Sequence, residues 1–321
     1  MSTERADGLK RLSYRVFMDG RGDQLIWSLG PRRFRILCYH GVVEDEFAKA
    51  PWIPHFFVTR SAFERQLAYL RRNATVLPLS EACGRLRNDS LPARAVSITF
   101  DDGYANNLHT AYPLLRQYGL PATIFLSSAY IESGQFYPFL QIRLIRLARP
   151  DADVTEYKPS PLDDVMRGIR RFWPAVEAGL SDAQRRILRP MTIEEVGQMN
   201  EGLVEFGAHT HTHCILSNES HERRRDEIRS SVAKVRQWTG KPECSFSYPN
   251  GQRGDYGEFD KQVLRGEGID NAVSGMTGAN TPRTDMLELR RYPVGLFHDD
   301  AAFLVELMGV RRLLRAMGGR G

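Results

Sequence analysis

Two clusters in this chain have the residue types and spacing for chemistry. The first is SITFDDGYANN, residues 97–107, where an apolar run ends in adjacent carboxylates, Asp101 and Asp102, followed by Gly103. Like charges side by side repel, and neither enters an apolar core without a partner. Asp-Asp-Gly is also ordinary turn chemistry, in which Asp caps and Gly supplies a positive φ. The other explanation is a cation between the carboxylates. The second cluster is GAHTHTHCIL, residues 207–216, which gathers His209, His211 and His213. His209 and His213 are four apart, a spacing that puts both on one side of a helix or a strand. A lone histidine is usually a satisfied core or surface residue, and three together are harder to explain that way. One carboxylate with two imidazoles gives a divalent cation three protein ligands and an open position for water. The second carboxylate is then free to accept a proton from that water.

The elements that must position these groups alternate. FRILCYH (34–40) reads as a first strand, and Ser61 with Glu64 forms a capping-box pattern for a helix carrying Phe63, Leu67 and Leu70 on one face. A short strand at 74–77 and a helix at 80–87 follow, then AVSITF (95–100), a strand of the fully buried type. Pro113 suits the first turn of a helix that Gly119 ends, and PATIFLSS (121–128) is the next buried strand. From 131 to 190 the rhythm breaks into amphipathic, helix-like stretches, read as an insertion on the C-terminal end of a strand. Thr192–Glu195 is a second capping-box pattern, and 203–213 reads as strand and loop. A long helix then carries Ile228, Val232 and Val235 on one face, with Gly240 past its end. CSFSYP (244–249) and NAVSG (271–275) are the last strands expected. Alternation of this kind predicts a parallel sheet, open or closed into a barrel. Both clusters fall just past the C-terminal end of a strand, the edge where such folds build their sites.

Composition excludes little else. The 321 residues are 42% hydrophobic and 26% charged, values ordinary for a globular protein. The net charge of +5 favours anionic partners in general, but no basic-aromatic interleaving points to nucleic acid. Cys38, Cys83, Cys214 and Cys244 are scattered without a CxxC pair and read as buried or free thiols. The N-terminal MSTERADGLKRLSYRVF lacks signal-peptide character, and no run is long enough to span a bilayer, so the default reading is cytoplasmic. The leader 1–33 is basic and poorly patterned, and the unit of interest is 34–321. The C-terminal LVELMGVRRLLRAMGGR is amphipathic enough for peripheral contact with the inner face of a membrane, although a helix packed on the barrel explains it as well.

TFDDG (99–103) with HTHTH (209–213) resembles the first two motifs of the polysaccharide deacetylases, the NodB-homology or carbohydrate esterase family 4 group. LCYHGV (37–42) and FSYPNG (246–251) are similar to that group too, and the resemblance runs from residue 34 to 297 around the insertion. It implies an α/β fold, a distorted (β/α) barrel of about seven strands. It implies hydrolysis of an N- or O-linked acetyl group from a carbohydrate, and the lack of an export signal makes the expected substrate an intracellular glycan or envelope precursor. The resemblance makes Asp101 the general base and Asp102, His209 and His213 the ligands of one divalent metal, zinc before cobalt, nickel, iron or manganese. It assigns Tyr248, Pro249 and Asn250 to substrate binding, with a backbone N–H there steadying the oxyanion.

The departures are specific. Many members use Arg-x-Pro-Tyr as a third motif, whose arginine holds the base, whereas here the stretch is Ser247-Tyr248-Pro249-Asn250. Arg290 or Arg291, in LELRRYPVG, is a candidate substitute, but a surface pair is the preferred reading. The late Leu-x-His motif that supplies the general acid is imitated only by LFH (296–298), placed in a loop before the last helix, which leaves His298 a weak candidate. His40 could line the pocket from the first strand or be tied to backbone. His211 is expected outside the ligand set, Cys214 as a small buried hydrophobe, and Phe136, Tyr137, Phe139, Phe172 and Trp173 either stack on sugar rings or pack helices. Two further readings stay open: a hydrolase of non-sugar amides on the same fold, and a carbohydrate-binding relative without catalysis.

Overall fold

A computed structural model describes residues 33–199, 202–242, 244–296 and 300–308. The expected basic leader, His298 and the C-terminal arginines lie outside the described residues, apart from the leader's last residue, Arg33. Seven parallel strands form a barrel: β1 (Arg35–Tyr39), β2 (Ala95–Phe100), β3 (Ala122–Leu126), β4 (Val204–Ala208), β5 (Phe246–Ser247), β6 (Ala272–Thr277) and β7 (Leu289–Pro293). Each pairs with its neighbour, and β1 pairs with both β2 and β7, which closes the sheet. A short strand, Thr75–Val76, lies along the start of β2. No helix among the described residues is long and apolar enough to cross a membrane.

Strand periodicity divides the barrel's two surfaces. Leu37 and Tyr39 of β1, and Val96, Ile98 and Phe100 of β2, pack outward with the main core beneath the surrounding helices. The alternate residues Ile36 and Ala95 point inward and meet Phe125, Val273 and Leu289. Leu79, Ala82, Cys83 and Leu86 of the helix Leu79–Arg87 join this inner cluster and stopper the barrel at the N-terminal ends of its strands. Farther along β2 the inward row turns polar, with Ser97 and Thr99 buried, and its next member is Asp101. The barrel is therefore apolar at one end and polar at the other.

Between β3 and β4 the chain runs through helices Ser128–Ser133, Pro138–Ala148, Leu162–Arg170, Trp173–Ala178, Asp182–Leu188 and Ile193–Met199. Tyr104, Tyr137, Leu140, Ile145, Val165 and Ile169 form a second core there, beside the strand ends. Phe136 and Trp173 meet edge to face within it, which assigns those two rings to helix packing.

Two sequence expectations need correction. The helix expected from Ser61 starts at Arg60, because the hydroxyl of Thr59 accepts from the Ala62 amide and makes Thr59 the cap. The arginines of RRYPV, expected as a surface pair, lie in β7, the strand that closes the barrel. Its inward position is filled by an arginine, so the strand carries no apolar alternation.

Candidate active site

The clusters converge because their strands do. Tyr39 of β1 pairs with Phe100 of β2, and Leu126 of β3 pairs with Ala208 of β4, so His40, Asp101 and His209 leave the barrel at one end. The backbone then bends sharply. Asp102 has φ +72°, Thr210 +57° and His213 +56°, left-handed conformations that cost non-glycine residues of order 1 kcal/mol or more each. Gly103 follows at φ +70°, where a Cβ would sit 2.4 Å from Leu126 Cδ2. The turn that aims Asp102 therefore requires a glycine after it.

Asp102 Oδ1 lies 3.0 Å from His213 Nε2 and 3.5 Å from His209 Nε2, with all three residues buried. His209 Nδ1 is 2.7 Å from the Ser247 carbonyl, and His213 Nδ1 is 2.7 Å from the Tyr157 hydroxyl. A carbonyl only accepts, so His209 Nδ1 carries the proton and its Nε2 presents a lone pair. Tyr157 also donates to the His213 carbonyl, which leaves its oxygen to accept from Nδ1 and frees the Nε2 of His213 in the same way. Three acceptors thus face one another without a donor, and Asp102 Oδ1 is a buried atom with no hydrogen-bond partner. A divalent cation fits this donor set. Burial lowers the pKa of His213 and favours the neutral ring that a ligand needs. At His209 burial pushes the same way but Asp101 and Asp102 outweigh it, so proton and cation would compete for its Nε2.

Asp101 is held apart from this set. Arg291 Nη1 and Nη2 each donate to it at 2.7 Å, a bidentate pair in which the arginine is 3% exposed. The remaining guanidinium donors reach the Ser274 carbonyl (2.9 Å), Ser247 Oγ (3.1 Å) and Thr99 Oγ1 (3.3 Å), so all five N–H groups are used. Burial pushes the Asp101 carboxyl up, but the charges of Arg291 and His209 overcome it and hold the group below the usual carboxylate range. The reading of Arg290–Arg291 as a surface pair is therefore wrong for Arg291. It reaches from β7 into the barrel and holds the Asp101 carboxylate.

The third-motif stretch behaves differently from expectation. Ser247, not Tyr248, touches Asp101, its hydroxyl lying 3.3 Å from Oδ1. Tyr248 is fully buried against Tyr256, its hydroxyl donates to Leu287 O and its amide to Val273 O, so neither donor is left for a substrate. Pro249 has no N–H and the Gly251 amide bonds Pro249 O, which leaves the amide of Asn250, at φ +58°.

His40 is the residue that sequence reasoning undervalued. A ring nitrogen of His40, Cys38 Sγ and a carboxylate oxygen of Asp101 lie within 4.8 Å of one another. His40 Nδ1 is buried without a partner, so the ring is not tied to backbone there, and its centroid lies 4.6 Å from that of the tilted Phe56 ring. Burial lowers its pKa, opposed by Asp102 and Asp101. The signal was available in LCYHGV, where a histidine ends a strand beside the strand that ends in Asp101. Burial also pushes the Cys38 thiol up, which keeps it a neutral S–H. His211 bonds Ser128 Oγ and stands outside the ligand set, and Cys214 packs in the core. Of the insertion's aromatics, Tyr137 and Phe139 reach His213, at 5.5 and 5.0 Å between ring centroids.

The description Polysaccharide deacetylase matches residues 88–265, more than half of the chain. YxkH of Bacillus subtilis (strain 168), named as a polysaccharide deacetylase, is 36% identical over 99 residues, or 30% of this chain and 32% of that protein. Staphylococcus aureus poly-β-1,6-N-acetyl-D-glucosamine N-deacetylase is 32% identical over 92 residues, or 28% of this chain and 32% of the relative. The matched stretches thus span about a third of these curated relatives. The structure of the Streptococcus pyogenes deacetylase PplD in complex with acetate superposes with a TM-score of 0.62 at 18% identity, covering 87% of this chain and 99% of that one, and shows the fold in common. By the match over more than half its length, this chain belongs to the polysaccharide deacetylase family.

Proposed function

We propose that the chain is a metal-dependent hydrolase that removes acetyl groups from N-acetylated sugar residues of a glycan. One observation carries the reading. Three buried acceptors, Asp102 Oδ1, His209 Nε2 and His213 Nε2, converge without a donor, beside a second carboxylate that Arg291 holds out of the set. A cation held by the three would act as a Lewis acid on the acetyl carbonyl and lower the pKa of water. Asp101 is the general base; Arg291 keeps it ionised and fixes its plane, and a water proton would take a lone pair that the Ser247 hydroxyl or the Cys38 thiol now occupies through a longer contact. The Asn250 amide is the donor for the oxyanion. His40, a ring nitrogen of which lies near Asp101, would carry the proton that Asp101 takes from water on to the departing amine. We read 34–321 as one catalytic unit with 131–190 inserted at the mouth. A relative named for poly-β-1,6-N-acetyl-D-glucosamine makes that polymer the first substrate to try.

The test is acetate release from acetylated β-1,6-linked glucosamine oligomers by protein stripped with a chelator and reloaded with Zn²⁺, Co²⁺, Ni²⁺, Mn²⁺ or Fe²⁺. Release that requires the metal is expected; turnover of simple amides but no sugar would move the substrate off carbohydrate, and tight glycan binding without turnover under every metal would leave a binding protein. Within the same assay, His40→Gln should lower kcat by roughly 10²–10⁴-fold with cation affinity unchanged. An undiminished kcat would return His40 to a packing role against Phe56.

A further inference from the structure

We propose that Tyr157 is a positioning residue through which the segment between β3 and β4 sets the cation affinity of the barrel. This rests on the reading of Asp102, His209 and His213 as a cation site. The barrel supplies the outer support of one imidazole only, since His209 Nδ1 donates to Ser247 O of β5. The corresponding support for His213 comes from outside the barrel, from the Tyr157 hydroxyl at 2.7 Å. That oxygen also donates to the His213 carbonyl, so one hydroxyl holds both the ring and the backbone of a residue at φ +56°. For Nε2 to meet a cation, Nδ1 must carry the proton, and the Tyr157 oxygen is the acceptor that receives it. If the hydroxyl turned its proton toward Nδ1 instead, Nε2 would carry a proton aimed at Asp102 and the cation would be shut out.

The placement of Tyr157 is built. Asn218, a few residues past His213, donates to the carbonyls of Lys158 (2.7 Å) and Ser160 (3.0 Å), and Glu219 accepts from the Leu162 amide at 2.8 Å. The segment 157–162 is thereby fastened to the chain that follows His213. Phe139 closes the other side, 5.8 Å from the Tyr157 ring and 5.0 Å from that of His213. A glycan that displaced this segment would loosen the metal ligand with it.

The experiment measures Zn²⁺ affinity by chelator competition, and the visible spectrum of the Co²⁺ form, in wild type and Tyr157→Phe. Losing one outer hydrogen bond should weaken Zn²⁺ binding about 10–100-fold and perturb the Co²⁺ spectrum. Asn218→Ala, which removes the fastening but no group at the site, should give a smaller loss of the same sign and carries the test if Tyr157→Phe does not fold. A merely structural tyrosine would lower the Tm of the chelator-treated protein and leave both metal readouts unchanged, which would overturn the proposal. A wild type that binds no divalent cation would instead overturn the cation site itself.

Discussion

Asp101→Asn is expected to lower kcat for acetate release by about 10²–10⁴-fold while leaving Zn²⁺ affinity within a few-fold of wild type. The amide keeps the shape of the carboxylate but cannot take a proton from water. The ligand atoms Asp102 Oδ1, His209 Nε2 and His213 Nε2 are untouched, which is why binding and turnover should separate. The substitution also turns an NH₂ toward an Arg291 N–H, so the variant will be less stable and should be assayed well below its lowered Tm. Retention of wild-type kcat would remove Asp101 as the base. Parallel loss of kcat and of Zn²⁺ binding would make it a ligand instead.

Arg291→Met should have the largest effect on stability. It leaves the Asp101 carboxylate buried with only Ser247 Oγ at 3.3 Å and Cys38 Sγ at 3.6 Å. Removing one partner of a buried ion pair typically costs about 3–5 kcal/mol. The pH dependence has a definite sign. In the wild type the depressed pKa of Asp101 contributes stability that is fully present above the unfolded value of about 3.9 and is lost as pH falls through the lower folded value. In the variant, burial without Arg291 raises that pKa, so the penalty is greatest near neutrality and is relieved by acid. The gap between wild type and variant should therefore narrow as pH drops from about 7 to 3 in urea unfolding of chelator-treated protein. The acid limb of kcat should move to higher pH in the variant. A gap that is constant across this range would show that Arg291 contributes packing rather than charge.

Asp102, His209 and His213 were legible because each follows an apolar run with the composition of a buried strand, and a strand end states where its next residues emerge. β1 through β6 were legible for the same reason. β7 was not, since its inward position holds Arg291 and the strand reads LRRYP, with no apolar alternation to find. That a charge can sit inside a barrel follows only when the facing Asp101, Thr99 and Ser247 are known, and these come from two strands distant in sequence from Arg291. Tyr157 was hidden differently. It lies in a polar, Pro-containing stretch without periodicity, and its partner is 56 residues away. Local sequence encodes elements, whereas pairs of this kind are fixed by topology. The capping shift from Ser61 to Thr59 is a smaller case, in which Asp45 takes the serine hydroxyl and leaves threonine to the helix.

The helix Leu79–Arg87 plugs one end of the barrel with Leu79, Ala82, Cys83 and Leu86. Among the described residues, that leaves the rim where β1, β2, β4 and β5 end as the doorway to the polar half of the barrel. A polymer lying across that rim would cover the outlet for the acetate it has just released. Acid and sugar would then depart in a fixed order, or the polymer would have to slide to uncover the opening, and each cut would end with a step along the strand.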